Sequence, residues 1–268
     1  MASITVFAGS VPANYDQYLG PILFEAYALD LVDRLKNDKP QDLLELAAGT
    51  GRLTKHLADL IPPDGTLVAT DLNPGMIELA QSKVLHERIE WKVADALNLP
   101  FDDHRFDHIV CQFGVMFFPD KEKGFREANR VLKPGGKYIF NVWERLEKNP
   151  RIDLMAKISY EVFKDKAPAF FQRGPYSFYD KNKIEELLLN SGFHNISIDV
   201  VIKTSAYNSP DDLIKGFVDG SSLSNEVKER DESEQIEFRK KLYTALTEQE
   251  QIYGNEVPCE ALVVEATK

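Results

Sequence analysis

From about residue 41 onward, apolar runs of strand length alternate with stretches of helical period, and that rhythm admits few folds. Asp42-Leu-Leu-Glu-Leu46, Thr66-Leu-Val-Ala-Thr70, Ile89-Glu-Trp-Lys-Val93, Phe106-Asp-His-Ile-Val110 and Lys137-Tyr-Ile-Phe-Asn-Val-Trp143 read as five strands. Helical periods fall near 52–61, 74–85 and 120–132. The third places Phe125, Ala128 and Leu132 on one face, and Lys133-Pro134-Gly135-Gly136 ends it. Strands joined through helices pair in parallel, and a parallel sheet needs cover on both faces.

Two further strands, Ile196–Ile202 and Cys259–Glu265, close the chain. A helix over 181–190 precedes the first of them, with Asp180 as its N-cap and Gly192 just past its end. Three stretches interrupt the alternation. Residues 12–36 are helical and broken by Pro21, residues 145–179 are rich in aromatics, and residues 208–254 are too long for a hairpin loop and are expected to carry helices of their own. The expected fold is α/β: a Rossmann-like, seven-stranded, mostly parallel sheet with helices on both faces, the last strand antiparallel, plus a helical cap. One domain spanning 1–268 is expected, with core segments 37–144, 180–206 and 256–268 and cap segments 12–36, 145–179 and 207–255.

Composition excludes several functions. Lys plus Arg is 32 against 43 Asp plus Glu, a formal net charge of −11, which disfavours nucleic acid as a partner because that affinity rests on basic side chains against phosphate. No apolar run reaches membrane-spanning length. Met1–Ser10 has neither a basic n-region nor an apolar stretch of signal length, so a soluble, cytoplasmic protein is expected. The two cysteines, Cys111 and Cys259, lie far apart, so neither a disulfide framework nor a metal site is expected.

The strongest local signal is Leu43-Leu-Glu45-Leu-Ala47-Ala-Gly49-Thr-Gly51-Arg52, a buried strand running through a small-residue turn into a helix. Ligands of open parallel sheets bind at the carboxyl ends of the strands, where glycines let backbone approach them. The turn reads as a nucleotide-type site or as an ordinary tight connection. Asp71 ends the second strand, 20 residues after Gly51. Alone it reads as a helix N-cap ahead of Pro74; after such a turn, an acid there accepts ribose hydroxyls. Asp95, beside Ala96 and Leu97, suits the exocyclic amine and ring of an adenine, or is a solvated loop aspartate. Cys111-Gln112-Phe113-Gly-Val-Met116-Phe117 follows the fourth strand as an uncharged pocket wall or as core.

As a set, these strand ends resemble the class I S-adenosylmethionine-dependent methyltransferases, in the group that includes ubiquinone/menaquinone-biosynthesis enzymes (methyltransferase type 11/25). Glu45-Leu-Ala-Ala-Gly49-Thr-Gly51 is similar to that family's first motif, Asp71 to its ribose acid, and Leu72 and Met76 to residues flanking the adenine. Asp95, Ala96 and Leu97 match the adenine-end motif, and Gln112 and Phe113 the motif facing cofactor and substrate. Glu127–Gly136 resembles the family's helix-to-strand turn. The resemblance covers residues 41–143. It implies S-adenosyl-L-methionine as cofactor and Glu45, Ala47, Gly49, Gly51, Asp71, Leu72, Met76, Asp95, Ala96, Leu97, Gln112 and Phe113 as cofactor-binding residues. Ala47 departs from the glycine usual in the motif, and its methyl is expected to be tolerated at negative φ.

The implied reaction is methyl transfer by in-line displacement to a small, partly apolar acceptor on oxygen, nitrogen or carbon, in a lidded pocket. Tyr15, Tyr18, Met116, Phe117, Tyr176 and Tyr179 are expected to wall that pocket or to glue the cover to the core. A general base is needed only where the acceptor arrives protonated, and none of His56, His86, His104, His108 and His194 is singled out for that role. The expected partner is a small-molecule acceptor, with no nucleic acid or membrane, and the protein a monomer or homodimer. Two rivals stand beside this reading. A non-catalytic S-adenosylmethionine-binding sensor or partner subunit would need only the cofactor residues. A nicotinamide-dependent oxidoreductase would need G-x-G-x-x-G, whose third glycine is replaced here by Thr54.

Overall fold

The computed structural model describes residues 11–254 and 256–268; the opening segment, read above as lacking a secretory leader, lies outside them. Seven strands, β1 (Asp42–Leu46), β2 (Thr66–Asp71), β3 (Ile89–Val93), β4 (Phe106–Gln112), β5 (Leu132–Trp143), β6 (His194–Ala206) and β7 (Glu256–Thr267), form one sheet in the order β3-β2-β1-β4-β5-β7-β6. β1 runs parallel to β2 and β4, β2 to β3, and β4 to β5, whereas β7 is antiparallel to β5. The expected seven-stranded, mostly parallel sheet is therefore the one observed. Its strand order reverses between β2-β1 and β4-β5, the place where such sheets open a crevice.

The helices are α1 (Val11–Asn14), α2 (Glu25–Leu35), α3 (Thr54–Leu60), α4 (Pro74–Lys83), α5 (Lys121–Val131), α6 (Pro150–Phe163), α7 (Phe170–Arg173), α8 (Lys181–Asn190), α9 (Pro210–Ile214), α10 (Leu223–Lys228) and α11 (Glu232–Tyr253). Residues 27–143, 178–201 and 261–268 form one compact unit; residues 11–26, 144–177 and 202–260 form another.

In the sheet unit, period-two alternation assigns each strand residue to one of two faces. Leu43, Ala69, Val110, Ile139 and Val263 pack with Ala28, Leu31, Val32 and Leu35 of α2 and Leu57 and Ala58 of α3. On the opposite face, Phe125 of α5 lies 5.5 Å from the Phe140 ring, and Tyr138 lies 5.9 Å from Phe193. Residues 27–36, expected in the cap, thus belong with the sheet: burying positions 28, 31, 32 and 35 is what a core-facing helix stripe requires. Asp180 caps α8 by accepting the N–H groups of Asn182 and Lys183, and Gly192 follows it at φ +89, as the sequence predicts.

Two expectations change. The helical segment does not break at Pro21. The chain passes through a π-helix over Tyr15–Phe24 with Pro21 inside it, and Glu25 N–H reaches back to Gly20. Wider π turns give room for a ring that has no N–H to donate. Lys133-Pro-Gly-Gly136 does end α5, but it lies within β5, with Gly135 at φ +77 and a register shift opposite Phe106–His108.

In the second unit, residues 208–254 form α9, a π turn over Lys215–Asp219, α10 and α11, as expected of an insertion with its own helices. Phe163 of α6 meets Phe238 of α11 at 4.9 Å between ring centroids, beside buried Leu242 and Leu246. Arg151, buried, donates to the carbonyl and hydroxyl of Ser205 and lies over the Tyr207 ring. Among the described residues, no helix is long and apolar enough to cross a membrane.

Candidate functional site

Three residues of the turn after β1 have left-handed backbone: Ala47 (φ +53), Gly49 (φ +56) and Gly51 (φ +80). The turn is held by Ala48 N–H donating to Thr70 O at 2.8 Å, Gly51 N–H to Ala48 O at 3.0 Å, and Gly49 N–H to Asp71 Oδ2 at 2.9 Å. The two glycines serve different ends. A Cβ on Gly51 would press on Val84, Ala80 and Trp91 at 3.0–3.3 Å, so this glycine lets the turn sit close on its neighbours. A Cβ on Gly49 would meet nothing within 4 Å, so bare backbone there faces open space.

Ala47 does not meet the condition of negative φ under which its methyl was expected to be tolerated. Left-handed geometry costs an L-residue about 1–2 kcal/mol. Ala47→Gly is expected to raise stability by about 0.5–1 kcal/mol, the relief being partly offset by glycine's greater unfolded-state freedom. A denaturant midpoint that stays put or falls would show that the position carries no such strain.

Register gathers polar groups at the strand ends. Glu45 pairs with Ala69 on β2 and Val110 on β4; Val110 pairs with Ile139 and Gln112 with Asn141 on β5. Two residues beyond Ala69, Val110 and Ile139 come Asp71, Gln112 and Asn141. Period-two alternation therefore places Asp71, Glu45, Gln112 and Asn141 on one face, across four adjacent strands. Below them that face is the apolar core under α2 and α3.

Glu45 is 1% exposed, and its Oε2 has no hydrogen-bond partner. Burial pushes its carboxyl up to about 8; the Thr54 side chain opposes the shift and the charge of Asp71 adds to it. Asp71 is also raised by burial, against the N–H groups of Asn73, Gly49 and Leu72. Its Oδ2 accepts Gly49 N–H and its Oδ1 accepts Asn73 N–H at 2.8 Å. The N-cap of α4 is Asn73, which accepts Gly75 N–H, so Asp71 is not spent as that cap. The carboxylate instead ties the glycine turn to the end of β2.

The remaining expected residues are placed as follows. Leu72 is 53% exposed beside Asp71, while Met76 is buried on α4. Asp95 is exposed, and its Oδ1 accepts Leu97 N–H at 2.9 Å, turning the chain past a half-buried Ala96 and Leu97. Phe113 is left-handed (φ +51) and buried, with its ring stacked on Trp143 at 4.0 Å and edge-on to Tyr27 at 5.3 Å. In the 3-10 turn Val115–Phe117, Met116 is buried and Phe117 is 48% exposed. Tyr179 is part of the sheet unit. Tyr15, Tyr18 and Tyr176 are in the other unit, where Tyr15 stacks on Phe24 at 5.1 Å, Lys215 lies over the Tyr18 ring, and Tyr176 is buried.

All five histidines are described, and none ends a strand. His56 lies in α3, His86 precedes β3, and His194 begins β6. His104 contacts the Leu132 carbonyl, and His108 contacts Asp107 and Asp38 near the opposite end of β4. Cys111 is a buried thiol pushed up to about 12 by burial, far from a nucleophile. Sequence reasoning missed Asn141, whose one available signal was a lone amide near the carboxyl end of an otherwise apolar strand.

Comparison with known proteins supplies the family context. A family model described as "Methyltransferase domain" matches residues 44–140. The demethylmenaquinone methyltransferase of Lactobacillus johnsonii is 31% identical over 169 residues, covering 58% of this chain and 68% of that protein. That of Staphylococcus epidermidis is 28% identical over 212 residues, covering 72% of this chain and 86% of that protein. Among solved structures, phosphoethanolamine N-methyltransferase 2 of Haemonchus contortus in complex with S-adenosyl-L-methionine aligns with a TM-score of 0.61 at 17% identity, over 96% of this chain and 56% of that one.

Proposed function

Because the chain belongs to the class I S-adenosylmethionine-dependent methyltransferases of the ubiquinone/menaquinone-biosynthesis type, we propose that it methylates a small, partly apolar acceptor, with a quinol ring carbon the first to test. The relatives whose names specify demethylmenaquinone support that choice of acceptor.

The observation that carries the reading is the acidic pair under the glycine turn. Glu45 brings a buried oxygen without a partner, Asp71 a half-buried carboxylate, and Gly49 bare backbone facing open space. A cationic, hydroxyl-bearing ligand fits these acceptors: a positive charge satisfies Glu45, and ribose hydroxyls take the lone pairs of Asp71 left by its backbone N–H bonds. Asp95 with Ala96 and Leu97, and Leu72, would flank the adenine, while Gln112 and the turn after β4 would face the transferable group. S-adenosylmethionine, when bound, supplies a methyl group on a sulfonium. The chain's part is to align the acceptor with that methyl and to exclude water, and such positioning accounts for a large share of the acceleration in transfer reactions. No histidine stands at the carboxyl end of a strand, and methylation of a quinol ring carbon, which replaces that carbon's hydrogen, releases one proton that passes from the quinol to solvent.

Incubation with methyl-labelled S-adenosylmethionine and a demethylated naphthoquinol is expected to transfer label to a ring carbon. Intact cofactor binding without transfer to any quinol would sink the acceptor assignment. Asp71→Ala is expected to weaken cofactor binding by about 1–3 kcal/mol, the effect of removing a buried polar partner. Asp71→Asn, which keeps one acceptor for a backbone N–H, is expected to lose less. Calorimetric titration reads both, and unchanged affinity in Asp71→Ala removes the ribose role.

A further inference from the structure

We propose that Asn141 is a positioning residue whose side-chain amide holds the turn after β4 in the left-handed form that seats it against the turn after β1; the inference rests on reading these strand ends as the methyl-transfer site. Asn141 is fully buried within Tyr138-Ile-Phe-Asn-Val-Trp143, between the β4 and β7 neighbours Gln112 and Val263. Burying an amide there is unfavourable unless its groups are bonded, and only half of this one is. Oδ1 accepts Phe113 N–H at 2.8 Å, while Nδ2 is buried without a hydrogen-bond partner. A side chain selected for stability alone would be apolar at this position, so the one bond it makes is the feature to explain.

That bond holds an unusual residue. Phe113 is a bulky L-residue at φ +51, a region such side chains rarely enter. Its ring is fixed by the stack on Trp143, with planes 15° apart, and by the edge of Tyr27. Its N–H is fixed by Asn141 from the neighbouring strand. The next residue passes the constraint on. A Cβ on Gly114 would come within 2.5 Å of Ala47 Cβ and 2.7 Å of Cys111 Sγ, so the turn after β4 lies directly on the left-handed Ala47 of the turn after β1. The left-handed Ala47 thus lies against the residue that follows the left-handed Phe113, and strained backbone of this kind persists only where its surroundings over-determine it. Asn141 is the polar anchor of that arrangement. Losing it would let the turn after β4 relax toward negative φ and carry Gln112 out of place.

The test pairs Asn141→Ala and the shape-matched Asn141→Leu with Asn141→Asp, which keeps an oxygen for Phe113 N–H. In the ligand-free protein, amide hydrogen exchange at Phe113 is expected to quicken by about 10-fold or more in the Ala and Leu variants, and by no more than about 3-fold in Asp. Turnover, on whichever acceptor the wild type methylates, is expected to fall about 10- to 100-fold in Ala and Leu, the scale of a small misplacement, with Asp restoring most of it. Glycine adopts φ +51 without help, so in a Phe113→Gly background Asn141→Ala is expected to cost less than about 3-fold more. Unchanged exchange at Phe113, an Asp variant as impaired as Ala, or losses that multiply in the double variant would each overturn the proposal. Should the wild type label no acceptor, the proposed reaction fails by itself, and the exchange measurement still decides the role of Asn141.

Discussion

Gly49→Val is expected to abolish cofactor binding and to leave the sheet folded. Two effects act together at this position. Gly49 stands at φ +56, where a β-branched residue is a steric outlier, so valine either strains the turn by about 1–2 kcal/mol or flips it to negative φ. A flip turns Gly49 N–H away from Asp71 Oδ2 and frees the turn from the end of β2. If the turn keeps its shape, the isopropyl group fills the open space that the bare backbone now faces. Either outcome removes the surface a ligand needs. The core under α2 and α3 does not include Gly49, so cooperative unfolding is expected to survive with a modest loss. A calorimetric titration with S-adenosylhomocysteine is expected to show at least about a 100-fold loss of affinity, while circular dichroism shows native secondary structure. Binding within a few-fold of wild type would mean that the glycine turn does not carry the cofactor. Gly49→Ala, strained but smaller, is expected to fall between.

The second large effect concerns pH. The Glu45 carboxyl is raised from its ordinary 4.5 to about 8 by burial. A carboxyl raised in the folded state favours the protonated form there. Its unfavourable contribution is absent below about 4.5, grows as pH rises through the interval to about 8, and is complete above it. Stability of the ligand-free protein is therefore expected to fall between about pH 5 and pH 9, by on the order of a few kcal/mol from this group. Glu45→Gln carries the neutral shape at every pH, so its unfolding profile should be flatter over that window. Asp71, raised in the same direction, leaves a smaller residual slope in the variant. Parallel wild-type and Glu45→Gln profiles would remove Glu45 as the titrating group. The same logic makes cofactor capture sensitive to Glu45: a bound cation favours the ionised carboxylate, and the glutamine variant forgoes that attraction.

Much of this was legible in sequence because it is written in local physics. The strands through Trp143 were marked by apolar runs, and α8 by Asp180 at one end and Gly192 at the other. The glycine turn and the Asp71 spacing marked the strand ends, and Glu45 was implied by the motif that the turn resembles. What was not legible involves groups brought together from distant segments. Nothing local to Ala47 announces a positive φ; the close approach of Gly114, 67 positions along the chain, goes with it. Phe113 is held by Asn141, another strand away. Asp71 reads locally as a helix cap, but Asn73 takes that role and leaves the carboxylate to the glycine turn.

By itself, then, the sequence determined the α/β class, the parallel core and the set of strand ends where chemistry is possible, because hydrophobic period and turn residues act over a few positions. Tertiary structure alone decided that residues 27–35 belong with the sheet, that the chain continues as a π-helix through Pro21, and that the turn carrying left-handed Phe113 lies on left-handed Ala47 through Gly114. It also decided which polar side chains share a face. That depends on register between strands, and a shift of one residue would send Glu45, Gln112 or Asn141 to the opposite side of the sheet.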